Sequence, residues 1–567
     1  MTSVVQDTPA ADVVAAIKRV AGNKQQWLAV SAADKLAHLY EIRAQTLPLI
    51  DEWAAACAES RGLSGTQAAF GYVIGAGLFG FHLGGWIASY EALVATGEPA
   101  KPSKVRQVGA DVLAAQVAPY GALETVAMAG ERIELWLEPG QPATQGKFKS
   151  ATAGVCGVLG AGNFEAPSDV LSKLFGDQHV VVYKTHPNLH KSTAPFFRRI
   201  FKKLIDAGFF AVIEGNTAPG AALVADRDVD ELLMTGGQLS YDAMVWGRDA
   251  AAAKAANKPL VTKPFDAELG AVSPWIVVPG QWTDAELKHH AEFLVACKMT
   301  NAAAVCASPQ AVVVDGAWPQ LAQFKQQVLD AARKCPAVPV FYGGSCQRAT
   351  QIADASAAAG AQVTWADGQR AAADRDETGA RTPAHLAIID GVKAGGALLT
   401  TEAFAPVLGY VAIDGTGGDA KAFLTKAVAF ANKEAFGTLS CSLMIDPRTE
   451  AAIGSATLDE AIKALRYGTV GVNQWGGNGA FRSAAVWGAA PGAHTPRDIQ
   501  SGIGFIGNSR FFDHPAKQVI FSPFVNPGHT KAPSANDAKL YPRVTYFAVE
   551  PGVVRLLGVL SAALVGF

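Results

Sequence analysis

ATAGVCGVLGAGNFEAPSDVLSKLFGDQHVVVYKTHP, residues 151–187, sets the architecture. Within it GVCGVL (154–159) is a short apolar run of strand length. The small-residue turn Gly160-Ala161-Gly162 bounds it, and a helix follows to about Leu174. VVVY (180–183) reads as a second buried strand, ending at Lys184. A helix over 195–207 and a strand at 209–213, feeding Gly215, continue the alternation. Strands separated by helices at this spacing predict a parallel sheet with crossover helices.

A second series lies downstream. Strands are expected at 273–278, 310–314, 407–413, 440–445 and 469–473, with helices at 284–298 and 318–334. Segments 364–369 and 372–381 read as polar loops, and the Gly/Pro-rich stretch 475–542 as irregular. The first 100 residues read as helices: Ser31–Asp34 makes a start signal, and Leu36, Leu39, Ile42, Leu47 and Ile50 recur at helical spacing. IELWL (133–137) and the polar stretch to Ser150 read as an extended arm or hairpin. Two α/β lobes fit this pattern better than one very large sheet.

The 567 residues include 48 basic and 50 acidic side chains, a formal charge of −2. That balance speaks against a nucleic-acid surface. Half the residues are hydrophobic and 17% are charged, so the chain buries enough apolar area to exclude general disorder. Seven scattered cysteines without a CxxC pair predict neither a disulfide framework nor a metal site, and a cytoplasmic setting is expected. The first 22 residues lack the apolar core of a signal peptide.

Two apolar segments raise the question of a membrane. Residues 62–90 contain no formally charged side chain, and 70–90 is long enough to span a bilayer, but six glycines and a histidine in it favour a buried or subunit-facing helix. Residues 552–567, interrupted only by Arg555, are short for a span. A docked terminal element is the plainer reading, and weak peripheral membrane contact is the sharper one.

Four features carry chemistry. GNTAPG (215–220) follows a strand and opens a helix, where a Gly-rich turn lets free N–H groups approach a phosphate. MTGG (234–237) ends a strand with exposed backbone. Cys306 stands alone among small residues and needs a neighbouring base or N–H groups to act as a nucleophile. Glu268, in ELGAVSP, is flanked by apolar residues whose desolvation raises a carboxylate toward general-base range. Taken singly, each also reads as a tight turn, a strand end, a buried thiol or a surface acid.

Together, in order and spacing, these features resemble the aldehyde dehydrogenase superfamily over about residues 150–505. GAGNFEAP (160–167) is similar to the turn carrying that family's catalytic Asn, here Asn163. VVVYK (180–184) resembles the strand ending in its ribose-binding Lys, here Lys184. ELGAVSP (268–274) resembles ELGGKSP, with the base at Glu268. NAAAVC (301–306) resembles NxGQxC, with the nucleophile at Cys306. TEAFAPV (401–407) is similar to EEIFGPV, and GTVGVN (468–473) and QSGIG (500–504) look like later family segments. Glu268 precedes Cys306 by 38 residues and Glu402 follows it by 96, close to the family's layout.

The resemblance implies two Rossmann-type parallel lobes with an oligomerisation arm. It divides the chain into a cofactor domain (1–130 and 152–262), a catalytic domain (263–475), an oligomerisation region (131–151 and 476–530) and a tail (531–567). It implies oxidation of an aldehyde, with an apolar or aromatic one expected, through a thioacyl-enzyme on Cys306. Asn163 and the Cys306 N–H would form the oxyanion hole, and Glu268 would activate water. Leu159, Gly160, Lys184, His186, Gly215, Gly220, Thr235, Gly236, Gly237, Leu269, Glu402 and Phe404 would hold NAD or NADP. A homodimer or homotetramer is implied.

The sequence departs from the family pattern at several points. Gly162 stands where Trp is usual, Ala303 and Ala304 where Gly-Gln is usual, and Gly237 where Ser is usual. Thr-His-Pro follows Lys184, so the acid that favours NAD is absent. The reading therefore leans to NADP, with His186 or Lys191 assisting. Rival readings are a CoA-acylating aldehyde dehydrogenase or acyl-CoA reductase, which tend to lack the base glutamate, and a non-catalytic scaffold on the same fold. Leu171, Met299, Thr300 and Trp475 are expected to line the approach to the nucleophile.

Overall fold

The computed structural model describes residues 5–565. Two main sheets organise them. The six-stranded sheet runs in the order Gly502–Ile503, Phe265–Leu269, Glu231–Gly236, Val155–Leu159, Val180–Lys184, Phe210–Ile213. All its strands are parallel except the short Gly502–Ile503 edge. The chain moves outward from Val155–Leu159 on one side, then returns to add Glu231–Gly236 on the other. The crevice between these two strands is thus the topological switch point, where open α/β sheets take ligands.

The eleven-stranded sheet has a parallel centre: Pro515–Phe521, Thr469–Val472, Ser440–Met444, Trp275–Val277, Ala311–Asp315, Val407–Ile413 and Ala387–Asp390. Antiparallel strands finish both edges. Gln362–Trp365 closes one, in a segment that reads as loop. At the other edge Arg132–Leu137 pairs with Pro515–Phe521, and Val112–Ala118 and Lys104–Val108 follow, so the expected arm extends its own chain's sheet.

The expectation of irregular backbone over 475–542 is corrected. Val486–Gly488 pairs with Phe505–Gly507, and Pro515–Phe521 joins the large sheet. Short strands whose partners are distant in sequence show little local alternation. Pro515 sits at the first position of its strand, where no ladder N–H is needed.

The N-terminal helices cover the six-stranded sheet. Ser31 caps Ala32–Thr46 by accepting the Asp34 N–H (3.1 Å), as the start signal predicts. The indole N–H groups of buried Trp27 and Trp53 donate to the Leu174 and Ser192 carbonyls at 3.0 and 2.7 Å.

Among the described residues, Gly65–Thr96 is the one helical run long and apolar enough to cross a membrane, and 61% of its most apolar window is buried inside the protein. The C-terminal helices explain much of that burial. Asp537–Val549 packs on this run, and Val553–Val565 folds back on Asp537–Val549. The contact is backbone-close. A Cβ on Gly80 would lie 2.6 Å from the Val549 nitrogen, and Thr545 Oγ1 donates to the Tyr72 carbonyl at 3.0 Å. Gly77 and Gly80 of the uncharged stretch are therefore the packing face for the tail.

Gly80→Val tests this fit. Overpacking against backbone is expected to cost about 1–3 kcal/mol, read as a lower urea midpoint, with faster protease release of the C-terminal helices. An unchanged midpoint would show that the tail is not seated there.

Candidate active site

The residues expected to hold a dinucleotide lie at the carboxyl edge of the six-stranded sheet. Leu159 is in register with Lys184 and Met234, Lys184 with Ile213, and Gly236 with Leu269. Gly160 N–H donates to the Lys184 carbonyl at 3.0 Å, and the Tyr183 hydroxyl fills the space a Cβ on Gly160 would need. Gly220 stands on helix Thr217–Ala225 with its Cβ position 3.6 Å from Leu159 and 3.9 Å from Lys184. Thr235, Gly236 and Gly237 close the row. The strand ends thus bring these positions together.

His186 departs from its expected role. Its ring lies against Gly162, where a Cβ would come within 2.8 Å, so it occupies room made by the small residue. Burial, then Lys184, push it down to about 4. The ring is neutral near pH 7 and brings no positive charge to a phosphate. Lys191 is exposed on helix His190–Ile200.

Cys306 follows helix Asp284–Met299, which starts in a Thr283/Glu286 capping box. Between helix and cysteine, Asn301, Ala302 and Ala303 take positive φ of 53°, 54° and 64°. The last is where the resemblance places glycine, so Ala303 holds a conformation that costs an L-residue free energy. Asn163 Nδ2 donates to the Ala304 carbonyl at 3.1 Å, and Asn301 Nδ2 donates to the Asn163 carbonyl at 3.1 Å. The expected oxyanion donor is therefore tied to the cysteine loop.

Glu268, on Phe265–Leu269, is hydrogen-bonded to the Cys306 thiol and to Trp487. Burial raises its carboxyl to about 7 against those two bonds, and its Oε1 is buried with no protein partner. Burial first, then the Glu268 charge and hydrogen bond, and then Glu402, hold the half-buried thiol well above its usual range, while the Ala307 N–H pulls the other way. Glu402 lies where a Cβ on Gly270 would be. Burial and then the Glu268 charge raise it to about 8, opposed by Arg348 and Lys298, and its Oε1 also lacks a partner. Two acids near neutrality thus face one thiol.

Phe404 has φ +45° and meets Tyr342 edge-on, with ring centroids 4.9 Å apart. Trp475 donates its indole N–H to the Ala307 carbonyl at 2.9 Å, and Met299, Val305, Trp475 and Trp487 form an apolar cluster against Cys306. Leu171, by contrast, is buried in the core of the six-stranded sheet's lobe.

Sequence reading missed several contributors. Arg61 reaches Asn163, Glu165 and Asn301 from helix Ile50–Arg61. Lys298, which burial pushes down to about 7, donates to Ser308 Oγ at 3.1 Å. Asp169, raised to about 6 by burial, adds to the field on Glu268. Asp7 sits at the Gly-turn: Asn216 N–H donates to its Oδ1 at 2.7 Å, and its charge acts on Lys184. A lone charge in an apolar run (Asp169 in PSDVL) is the signal the sequence offered.

Two parallel lobes, one of them ending in a nucleotide-type strand edge, define the class as a two-lobed α/β protein of the dinucleotide-binding kind. The aldehyde dehydrogenase family model matches residues 123–488, more than half the length, and the chain belongs to the aldehyde dehydrogenase family. The fold is similar to that of aldehyde dehydrogenase C from Pseudomonas syringae, a mutant complexed with NAD+ and octanal, at 17% identity and TM-score 0.61. The match covers 92% of this chain and 90% of that one. It is similar to lactaldehyde dehydrogenase from Escherichia coli at 18% identity, covering 91% and 92%, TM-score 0.60. NADP-dependent glyceraldehyde-3-phosphate dehydrogenase from Bacillus halodurans, complexed with NADP, matches at 15%, covering 90% and 91%, TM-score 0.60. At these identities the likeness is one of fold. No curated protein matches in sequence.

The strained loop yields a test. Ala303→Gly is expected to raise unfolding free energy by about 1 kcal/mol, the cost of a left-handed L-residue, measured by urea titration. A loss of stability would mean that the Ala303 methyl contributes more to packing than its backbone costs.

Proposed function

We propose that the chain oxidises an aldehyde to its carboxylic acid, with Cys306 as nucleophile and a nicotinamide dinucleotide at the carboxyl edge of the six-stranded sheet. The observation that carries this reading is the Glu268–Cys306 hydrogen bond, between a thiol and a carboxyl brought near neutrality by burial. The row of strand ends fits a dinucleotide, because glycine backbone can approach its phosphates and Lys184 its ribose.

Glu268 takes the thiol proton, and the Cys306 sulfur adds to the carbonyl carbon. Cysteine held protonated at rest needs such a base. The Asn163 carboxamide carries two N–H groups; one is bound to Ala304, and the other, with the Cys306 backbone N–H, receives the oxyanion. When bound, the dinucleotide supplies the hydride acceptor. Glu268, having passed that proton to solvent, accepts a hydrogen bond from water at its free Oε1 and takes that water's proton as it adds to the thioester, releasing the carboxylic acid and the Cys306 thiolate. Glu402 and Phe404 orient the cofactor side of the pocket. Apolar surroundings of Cys306, and the octanal complex of the Pseudomonas syringae protein, support an apolar aldehyde.

Retention of Glu268 supports hydrolysis over acyl transfer to CoA. Cys306→Ala is expected to abolish aldehyde-dependent reduction of the cofactor across an alkanal and aromatic aldehyde series. In the parent, turnover rises as pH increases through about 7, since the base acts when deprotonated. Glu268→Gln loses that limb and on the order of 10²–10⁴-fold of the rate. A strict requirement for added CoA, or full turnover by Cys306→Ala, would overturn the reading.

For cofactor choice, Asp7 speaks for NAD against the expected lean to NADP. The acid absent after Lys184 is supplied by the N-terminal segment. Thr8 N–H donates to the Glu214 carbonyl at 3.0 Å, and Glu214 N–H to Thr8 Oγ1 at 2.9 Å, which holds Asp7 on the turn. Gly215, at φ +128°, is needed there, since a Cβ would come 2.8 Å from Asp7 Cα. A carboxylate beside Lys184 accepts from a ribose hydroxyl and repels a 2′-phosphate, so we infer NAD. Asp7→Asn is expected to raise the NADP-to-NAD ratio of kcat/KM by about tenfold, a modest share of one close charge interaction. An unchanged ratio would remove Asp7 from cofactor selection.

A further inference from the structure

The face of helix Leu78–Thr96 that bears Gly84 is not filled by the tail. A cavity of about 430 Å³ lies between this helix, segment 117–128 and the end of helix Asp537–Val549. Cys306, Glu268, Glu402 and Asn163 do not line it. Phe81, Ile87, Leu123 and Phe547 supply apolar wall, while Arg43, Arg482, Arg510, Glu91 and Glu124 supply the charges. Both carboxylates are already engaged: Glu91 accepts from the Tyr40 hydroxyl and Glu124 from the Tyr120 N–H, each at 2.5 Å.

The Glu124 charge acts on Arg510 and the Glu91 charge on Arg43, yet both arginines keep N–H groups that neither carboxylate reaches. Arg510 is 3% exposed, and its guanidinium lies 4.2 Å from the centre of the Tyr120 ring and bonds the Tyr120 hydroxyl. Its Nε and Nη1 are buried with no protein acceptor, as is Nε of Arg43. Buried cationic donors without acceptors are costly and call for a partner. Arg482 stacks 4.4 Å over Phe81 on the same wall. Gly84 adds a second, independent sign. A Cβ there meets nothing within 4 Å, so this helix-interior glycine leaves open volume that no side chain uses.

We propose that this cavity is a binding site for an amphiphilic anion. Its carboxylate or phosphate head sits on Arg510, and its apolar chain runs along Phe81 and Phe547 over Gly84. Guanidinium donors match either head group, and the volume falls in the range of small-molecule sites. The site does not depend on the aldehyde reaction.

Calorimetric titration of the full chain with decanoate, decyl phosphate and decyltrimethylammonium tests it. The two anions are expected to saturate one site, and the cation to bind at least tenfold more weakly; the tighter anion identifies the head group. Arg510→Gln is expected to weaken both anions at least tenfold. Gly84→Leu, made at the open position, is expected to abolish binding with no fall in Tm, which keeps the test valid if Arg510→Gln folds poorly. Equal affinity for the cation, or anion binding that survives Gly84→Leu, would overturn the proposal, the latter by placing the ligand elsewhere, the Cys306 pocket included.

Discussion

The buried pair between Arg61 and Glu165 is the joint on which the candidate active site rests. Arg61 Nη1 and Nη2 reach the two Glu165 oxygens at 2.6 and 2.9 Å, and both side chains are sealed from solvent. The remaining donors are used as well. Nη2 reaches the Asn163 carbonyl (2.6 Å), Nε the Asn301 Oδ1 (2.9 Å), and Nη1 the Cys57 carbonyl (3.1 Å), while the guanidinium stacks 4.5 Å over Phe341. Such a planar, multiply bonded cation repays its desolvation only when every donor is met, and removing one partner of a buried pair costs about 3–5 kcal/mol. The clamp ties an N-terminal helix to the Asn163 turn and to the left-handed turn before Cys306. Two loops from different sheets are thereby held in one geometry.

That clamp also explains the strained backbone. Asn301 is at once a left-handed residue and the acceptor for Arg61, while its own amide donates to Asn163 and Ala304. Four hydrogen-bonded groups over-determine the turn, so an alanine at 303 is carried in a conformation better suited to glycine.

Much of this was legible in the sequence, and the rest was not for physical reasons. GVCGVL and VVVY declare buried strands because their residues are apolar, and the small turn after the first opens a helix, so the nucleotide-type sheet follows directly. Glu268 was readable as a desolvated acid because its neighbours in sequence are also its neighbours in the strand. Pro515–Phe521 was not readable as a strand, since its partners are Arg132–Leu137 and Thr469–Val472, far off in the chain. Arg61, Asp7 and the neutral state of His186 were invisible for the same reason: each acquires its meaning from groups brought near only by the fold.

The low charge of residues 62–90 has a related origin. The stretch meets the tail through Gly80 and Thr545 on one side and the N-terminal helices through Gly71 and Gly75 on another. A helix enclosed this way can bear few charges, whether its surroundings are lipid or protein. Polar groups of its His82 are met by protein. His82 is fully buried and held neutral, down to about 4, by burial, and its Nε2 is 2.5 Å from the Ala480 carbonyl. The Ser483 hydroxyl donates to the His82 carbonyl at 2.9 Å. Residues 480 and 483 belong to the turn after Trp475, beside the candidate active site. The apolar helix is therefore a strut that passes from the C-terminal tail to the turn after Trp475.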